Sequence, residues 1–384
     1  MSRPITIITG QFGDVASEDL FTKMSSIGYA GLELACGTDH FDVQLCLNDE
    51  NYFQAKTAQL KRHNLQCWAL SNHCVGQAVL DRIDQRNLDV LPERLRDKDP
   101  EVVWKNCAQE MIDTARAAAK IGAKIVTGFT GSSIWPFLYS FPPVPQYSEP
   151  EAENLSSPYY KPQPTKVLNA SGVLVPRVKP YYADVVLQYQ KQGKDPMSID
   201  WIRKGFELLA ERWIPILDEY EKLGVKFALE VHPTEIAFDL WSAETALYAL
   251  NLHPAFGFNF DPSHLLWQQV DPVRFIRVFS DRIYHVHMKD VALQLDGENG
   301  LLGSHIPFGD PRRGWEFRSL GHGNVKFEEI IRALNDIEYD GPLSVEWEDQ
   351  RMDRWHGAQE SYDFVKKLDF ERNVDVVFDA QFAK

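Results

Sequence analysis

Short apolar runs recur along this chain, and polar or amphipathic stretches fill the intervals. The runs are ITIITG (5–10), GLELAC (31–36), QCWALSNH (66–73), KIVTGFTG (124–131), KFALEVHP (226–233), GFNFDPSHL (257–265), IYHVHMKD (283–290) and GPLSVEWED (341–349). A short apolar run bounded by turn residues reads as a buried strand. Helices are predicted between them. One spans 17–27, with Ser17 as its cap and Gly28 as its stop. Another spans about 101–120, with Val102, Ala108, Met111, Ile112, Ala115 and Ala119 on one side. From 198, Ile202, Phe206, Leu209, Trp213, Leu217 and Tyr220 recur at helical spacing up to Gly224. Further helices are predicted near 242–251 (capped by Ser242), from Asp271–Pro272 to about 279, near 326–337 and at 357–368.

Alternating strand and helix units predict a parallel sheet. Eight of them predict a single (β/α)8 TIM barrel, here one domain over residues 1–384. An open doubly wound sheet is the alternative, and no G-x-G-x-x-G follows the first strand to support it. Two stretches break the rhythm. Residues 132–197, with FPPVPQYSEP and SSPYYKPQPTK, read as an insertion after strand four. It is expected over the C-terminal end of the barrel or at a subunit contact. Residues 291–324 read as a long Gly- and Arg-rich loop after strand seven.

The last four runs share a design, since each finishes on an acid or a histidine: Glu230, Asp261, His287 and Glu346. A buried strand gains nothing from a carboxylate unless the group is paired or metal-bound. In this fold the C-terminal strand ends are where active sites are built. Three oxygens and one nitrogen meeting there would make a pocket for one divalent cation. Alternation along a strand points His232, Asn259, His285 and Glu348 the same way as their partners. His285 therefore competes with His287, and Glu348 with Glu346. The bland readings are a salt bridge for Glu230 and a turn-starting Asp-Pro for Asp261.

Composition narrows the partners. There are 40 basic against 55 acidic residues, a net charge of −15. Nucleic acid and anionic membranes are repelled on average. No apolar run approaches the roughly 20 residues of a membrane span, and the opening MSRPITIITGQFG lacks a signal-peptide pattern. The five cysteines are odd in number and none has C-x-x-C spacing. Free thiols in a cytoplasmic protein are the simplest account.

Taken together, the four strand ends resemble the xylose-isomerase-like barrel superfamily of sugar phosphate isomerases and epimerases. The resemblance covers nearly the whole chain and is densest from 226 to 349. It implies one divalent metal, most often manganese, on Glu230, Asp261, His287 and Glu346, with magnesium, cobalt or zinc as alternatives. It implies Glu230 and Glu346 as the proton acceptor and donor, and His232, His264 and Lys289 as holders of substrate oxygens. LGHG (320–323) resembles the family's Gly-x-Gly turn. The expected substrate is a sugar or keto-sugar, and the expected reaction is isomerisation or epimerisation through an enediolate. Loss of a β-leaving group, as in the inosose dehydratase and keto-glycoside lyase branches, is the runner-up. The insertions are longer than in plain epimerases, and Arg312, Arg313 and Arg318 read either as an anion site or as bracing. An endonuclease of the same fold would need further histidines that KIVTGFTG lacks. A non-catalytic sugar-binding or scaffold subunit would not need the quartet. Assembly into a homo-oligomer stays open.

Overall fold

The eight apolar runs form eight parallel strands: β1 (Ile5–Ile8), β2 (Gly31–Ala35), β3 (Gln66–Ser71), β4 (Ile125–Gly128), β5 (Lys226–Glu230), β6 (Phe256–Phe260), β7 (Ile283–Met288) and β8 (Leu343–Val345). They pair in chain order, and β8 closes onto β1 to complete a barrel. At least one helix follows every strand, so the architecture is the (β/α)8 barrel expected. The computed structural model describes residues 2–138 and 200–371, with the backbone of two short antiparallel strands, Lys166–Leu168 and Leu174–Pro176. The placement expected for the 132–197 insertion lies largely outside the described residues. No helix among the described residues is long and apolar enough to cross a membrane. All five cysteines are free.

Most helix boundaries follow the turn chemistry, with two corrections. Ser17 is the first residue of Ser17–Ile27 rather than its cap, and its N–H donates to the Asp39 carboxylate at 2.7 Å. Ser242 lies inside Leu240–Ala249. The cap is Asp239, which accepts from Ser242 N at 2.9 Å while the Ser242 hydroxyl accepts from Asp239 N at 3.0 Å, a reciprocal capping box. The helix Pro100–Ile121 buries Val103, Cys107, Met111, Ala115 and Ala118. Val102 is 38% exposed and Ala119 faces solvent, so the predicted stripe is rotated by about one residue. Its many alanines distinguish one face from the next only weakly.

Aromatic side chains fill the layer between strands and helices. Phe258 meets Phe275 and Phe279 at 5.3 and 5.0 Å, and Trp213 meets Phe227 at 4.6 Å. Other strand positions are polar yet fully buried: Thr6, Glu33, Thr127, Asn259, His285 and Ser344. Barrel interiors are ordinarily packed with branched apolar residues. Polar groups there must bond to one another to be tolerated.

Residues 291–324 are more ordered than a loop. Asp290–Leu293 and Trp315–Arg318 pair as an antiparallel hairpin. Its base is pinned by Asp290, whose carboxylate accepts from the backbone N–H groups of Gly321, Gly323 and Val325 at 3.0, 2.9 and 3.1 Å. This explains LGHG. Gly321 has φ +91°, and a Cβ on Gly323 would collide with Asp290. The three arginines are engaged inside the hairpin region. Arg312 pairs with Asp310 and Arg318 with Glu316, each at 2.6 Å, while Arg313 lies over Phe308 and Trp315. Bracing accounts for all three.

One buried acid beyond the end of β5, outside the quartet, sets a pH dependence. Glu235 Oε2 accepts from Thr130 N and Gly131 N at 2.8 and 2.6 Å, while Oε1 is buried without a partner. Burial, and then the charge of Asp81, push its pKa up to about 8. A folded pKa above the unfolded one means that the folded state holds the proton more tightly. The contribution is complete below the ordinary carboxylate range and is lost as pH rises through about 8. Between pH 5 and 8, folding stability should fall relative to Glu235→Gln by up to ~1.4 kcal/mol per pH unit. Denaturant titrations of both proteins across that window check this, and parallel curves would dismiss it.

Candidate active site and metal centre

The barrel delivers four polar side chains to one end. Glu230 is the last residue of β5, His287 is the penultimate residue of β7, and Asp261 and Glu346 directly follow β6 and β8. Asp261 also caps the helix Pro262–Trp267, accepting from Ser263 N through Oδ1 at 2.7 Å. One atom from each of Glu230, Asp261, His287 and Glu346 can be chosen so that all lie within 4.8 Å of one another. All four residues are buried.

The free atoms in this cluster fit a cation. Asp261 Oδ2 and Glu346 Oε2 are buried without a hydrogen-bond partner. Glu346 Oε2 stands 2.7 Å from His287 Nδ1, yet that approach lacks hydrogen-bond geometry, so both atoms can share a third partner. Burial pushes the Asp261 carboxyl up to about 6, against the charges of His264 and Lys289. A carboxylate so enclosed is costly without a counter-charge. Three carboxylate oxygens and one imidazole nitrogen make a donor set for a divalent metal with positions left for substrate. His285 and Glu348 stand outside this group. His285 bonds to Glu33 at 2.8 Å, and Glu348, 36% exposed at its side chain, bonds to Lys289 at 2.9 Å.

Further polar groups ring the quartet. His264 Nε2 is 3.1 Å from Glu230 Oε1, and Lys289 Nζ is 3.2 Å from Glu346 Oε1. The His232 and His264 rings meet at 4.2 Å. Burial, and then the charge on His264, hold His232 well below the usual imidazole range, so it stays neutral. Burial would raise Glu346, but Lys289 and His287 together outweigh it and bring the carboxyl down to about 2. His232, His264 and Lys289 line one cavity of about 750 Å³ together with Glu230 and Glu346.

Four contributors were not singled out as site residues from the sequence. Glu33, in the middle of β2, accepts from His285 at 2.8 Å, His287 Nε2 at 3.0 Å, Ser344 at 2.9 Å and Thr127 at 2.5 Å. Burial would raise its pKa, but His287 and His285 outweigh that and hold it well below the carboxylate range. With Nε2 engaged by Glu33, His287 turns Nδ1 toward the quartet. The Asn259 amide nitrogen stands 3.1 and 3.2 Å from the two nitrogens of the same ring. His73 bonds to Glu230 Oε2 at 3.0 Å and to Ser71 at 2.8 Å. Gln11, after β1, reaches Glu346 at 3.2 Å and Glu348 at 3.4 Å. A carboxylate inside GLELAC was the available signal for Glu33, whereas Gln11 lies in an aperiodic turn.

Residues 181–368 match the family described as xylose isomerase-like TIM barrel. The uncharacterized protein YfiH of Bacillus subtilis (strain 168) is 30% identical over 180 residues, 45% of this chain and 55% of that protein. An inosose dehydratase of Lacticaseibacillus casei is 34% identical over 89 residues, 23% of this chain and 29% of that enzyme. The chain thus spans about half or less of the length of these curated relatives. Among solved structures, the 3-keto-D-glucoside 4-epimerase YcjR from E. coli superposes with TM-score 0.56 and 13% identity, covering 95% of this chain and 99% of that one. D-allulose 3-epimerase from Methylomonas sp., in complex with D-allulose, gives 0.54 and 14%, covering 96% and 98%. A xylose isomerase-like TIM barrel protein from Mycobacterium smegmatis, in complex with magnesium, gives 0.55 and 14%, covering 95% and 96%. At these identities the structural likeness concerns the fold.

Proposed function

We propose that this xylose isomerase-like TIM barrel is a divalent-metal-dependent enzyme that removes a proton from the carbon beside a carbonyl in a sugar or keto-sugar. The observation that carries the reading is the buried quartet of Glu230, Asp261, His287 and Glu346, two of whose carboxylates open onto the cavity lined by His232, His264 and Lys289. When bound, the metal, which the family resemblance implies to be manganese, would supply Lewis-acid polarisation of the substrate carbonyl. Glu230 and Glu346 handle the proton. Each is held ionised against burial, Glu230 by hydrogen bonds from His264, His287 and His73 and Glu346 by Lys289 and His287, so either can accept it. Lys289, 3.2 Å from Glu346, is held well above the ordinary lysine range by Glu346 and Glu348 against burial, so it stays charged and holds a substrate oxygen, and the return proton comes from a protonated Glu230 or Glu346. His264 and neutral His232 hold hydroxyl groups. Two proton-handling carboxylates suit return of the proton to another carbon or to the opposite face, which is isomerisation or epimerisation.

A second reading is loss of a β-leaving group from the same enediolate. The 34% identity to an inosose dehydratase, over 89 residues, favours it. Both readings share the first step, so that step is the one to test. The protein, loaded with manganese in heavy water, should place deuterium on one carbon of at least one keto-sugar in a panel of D-fructose, D-allulose, 2-inosose and methyl 3-keto-glucoside. A chelator should stop exchange and manganese should restore it. Conversion with every carbon-bound hydrogen retained would contradict proton abstraction. Release of an unsaturated ketone would keep the first step and select the lyase reading.

A further inference from the structure

The cavity at the metal centre has a neighbour of similar size. A second cavity of about 660 Å³ lies between the hairpin region and the loop after β8. Gln11, Phe317 and Glu348 line both, so the two are lobes of one groove. Either lobe alone is large enough for a small molecule, which typically takes about 300–1,000 Å³. We infer that the substrate carries a second, neutral sugar unit in glycosidic linkage, seated in this outer lobe while the keto ring occupies the metal lobe. The inference rests on the proposed reaction and names its substrate class.

The walls of the outer lobe suit a sugar face. Phe308 is 43% exposed and lies nearly parallel to Phe317, with ring centres 5.5 Å apart. Trp347 and Met352 add apolar surface. Sugar rings present C–H faces to such surfaces and hydroxyl groups to polar ones. The charges argue against a phosphate in that lobe. Glu316, Glu348, Asp349 and Asp353 line it, and Arg354 is already held by both oxygens of Asp14 at 2.6 and 2.8 Å. An anion would be repelled, whereas hydroxyl donors find acceptors.

The junction carries an unused acceptor. The Gln11 amide nitrogen faces Glu346 and Glu348, since ionised carboxylates only accept. Its Oε1 is thereby turned away, and it is a buried atom with no partner. Glu348 marks the boundary, with Oε2 on Lys289 of the inner lobe and Oε1 on Gln11.

The test compares deuterium exchange by the manganese-loaded protein on methyl 3-keto-glucoside and on the 3-keto derivatives of trehalose, maltose and cellobiose. At least one keto-disaccharide should show kcat/KM about tenfold or more above the methyl glycoside, and Phe308→Ala should bring that ratio toward one. If the alanine variant folds poorly, Gln350→Trp, which fills the lobe from an exposed position, should do the same. Equal kcat/KM for all probes overturns the second unit while leaving the metal-lobe chemistry standing. So does a ratio unchanged by either variant. Absence of exchange with every probe overturns both readings together.

Discussion

Glu230→Gln and Glu346→Gln should each lower turnover by about 10²–10⁴-fold, the range supplied by a positioned acid or base. Gln keeps the size and one oxygen of Glu, so it can still face the metal and the polar neighbours. His264 at 3.1 Å from Glu230 and Lys289 at 3.2 Å from Glu346 retain an acceptor in each case. What is lost is the ability to take a proton. The effect should therefore fall on kcat, with substrate binding kept within a few fold. Metal content per protein, measured alongside, separates the two roles of these residues. A variant that keeps its metal and its kcat is not a proton carrier. One that loses its metal has failed as a ligand, and its kcat says nothing about proton transfer.

Glu33 should have the second-largest effect, although it touches neither the cavity nor the quartet's free atoms. In Glu33→Ala, four buried donors on His285, His287, Thr127 and Ser344 lose their acceptor. Removing one partner of a buried charged network costs about 3–5 kcal/mol. Glu33→Gln is the gentler test, because its shape is kept and only the charge is removed. His287 then loses the carboxylate that turns Nδ1 toward the quartet, and metal affinity should drop by about 10–100-fold. Competition against a fluorescent chelator reads that affinity, and urea unfolding reads stability. Unchanged affinity in a folded Glu33→Gln protein would reduce Glu33 to a purely structural role.

The strand ends were legible because an acid or histidine closing an apolar run is a conspicuous conflict, and four such conflicts in consecutive units share one place in a closed barrel. Glu33 presents the same conflict in GLELAC, but in mid-strand, where position gives no hint of an active site. Its meaning depends on partners 94 to 311 residues away. The capping error at Ser242 arose because Ser and Asp are both good caps, and only the fold shows that Asp239 comes first. The hairpin within 291–324 was hidden by glycines and arginines, whose role became visible once Asp290 was seen gathering the backbone of LGHG.

The polar interior also bears on how the chain reaches its native state. Glu33 and Thr127 belong to the first half of the barrel, whereas His285, His287 and Ser344 arrive on its last two strands. A half-barrel ending after β4 would hold a charged carboxylate with one hydroxyl for company. Loop closure over such long separations is slow, and its reward comes only when the final contacts form. The two halves of this barrel are thus poor candidates for independent folding units. The charge at the axis ties their assembly together, and the strand ends that make the candidate metal centre come into register in the same event.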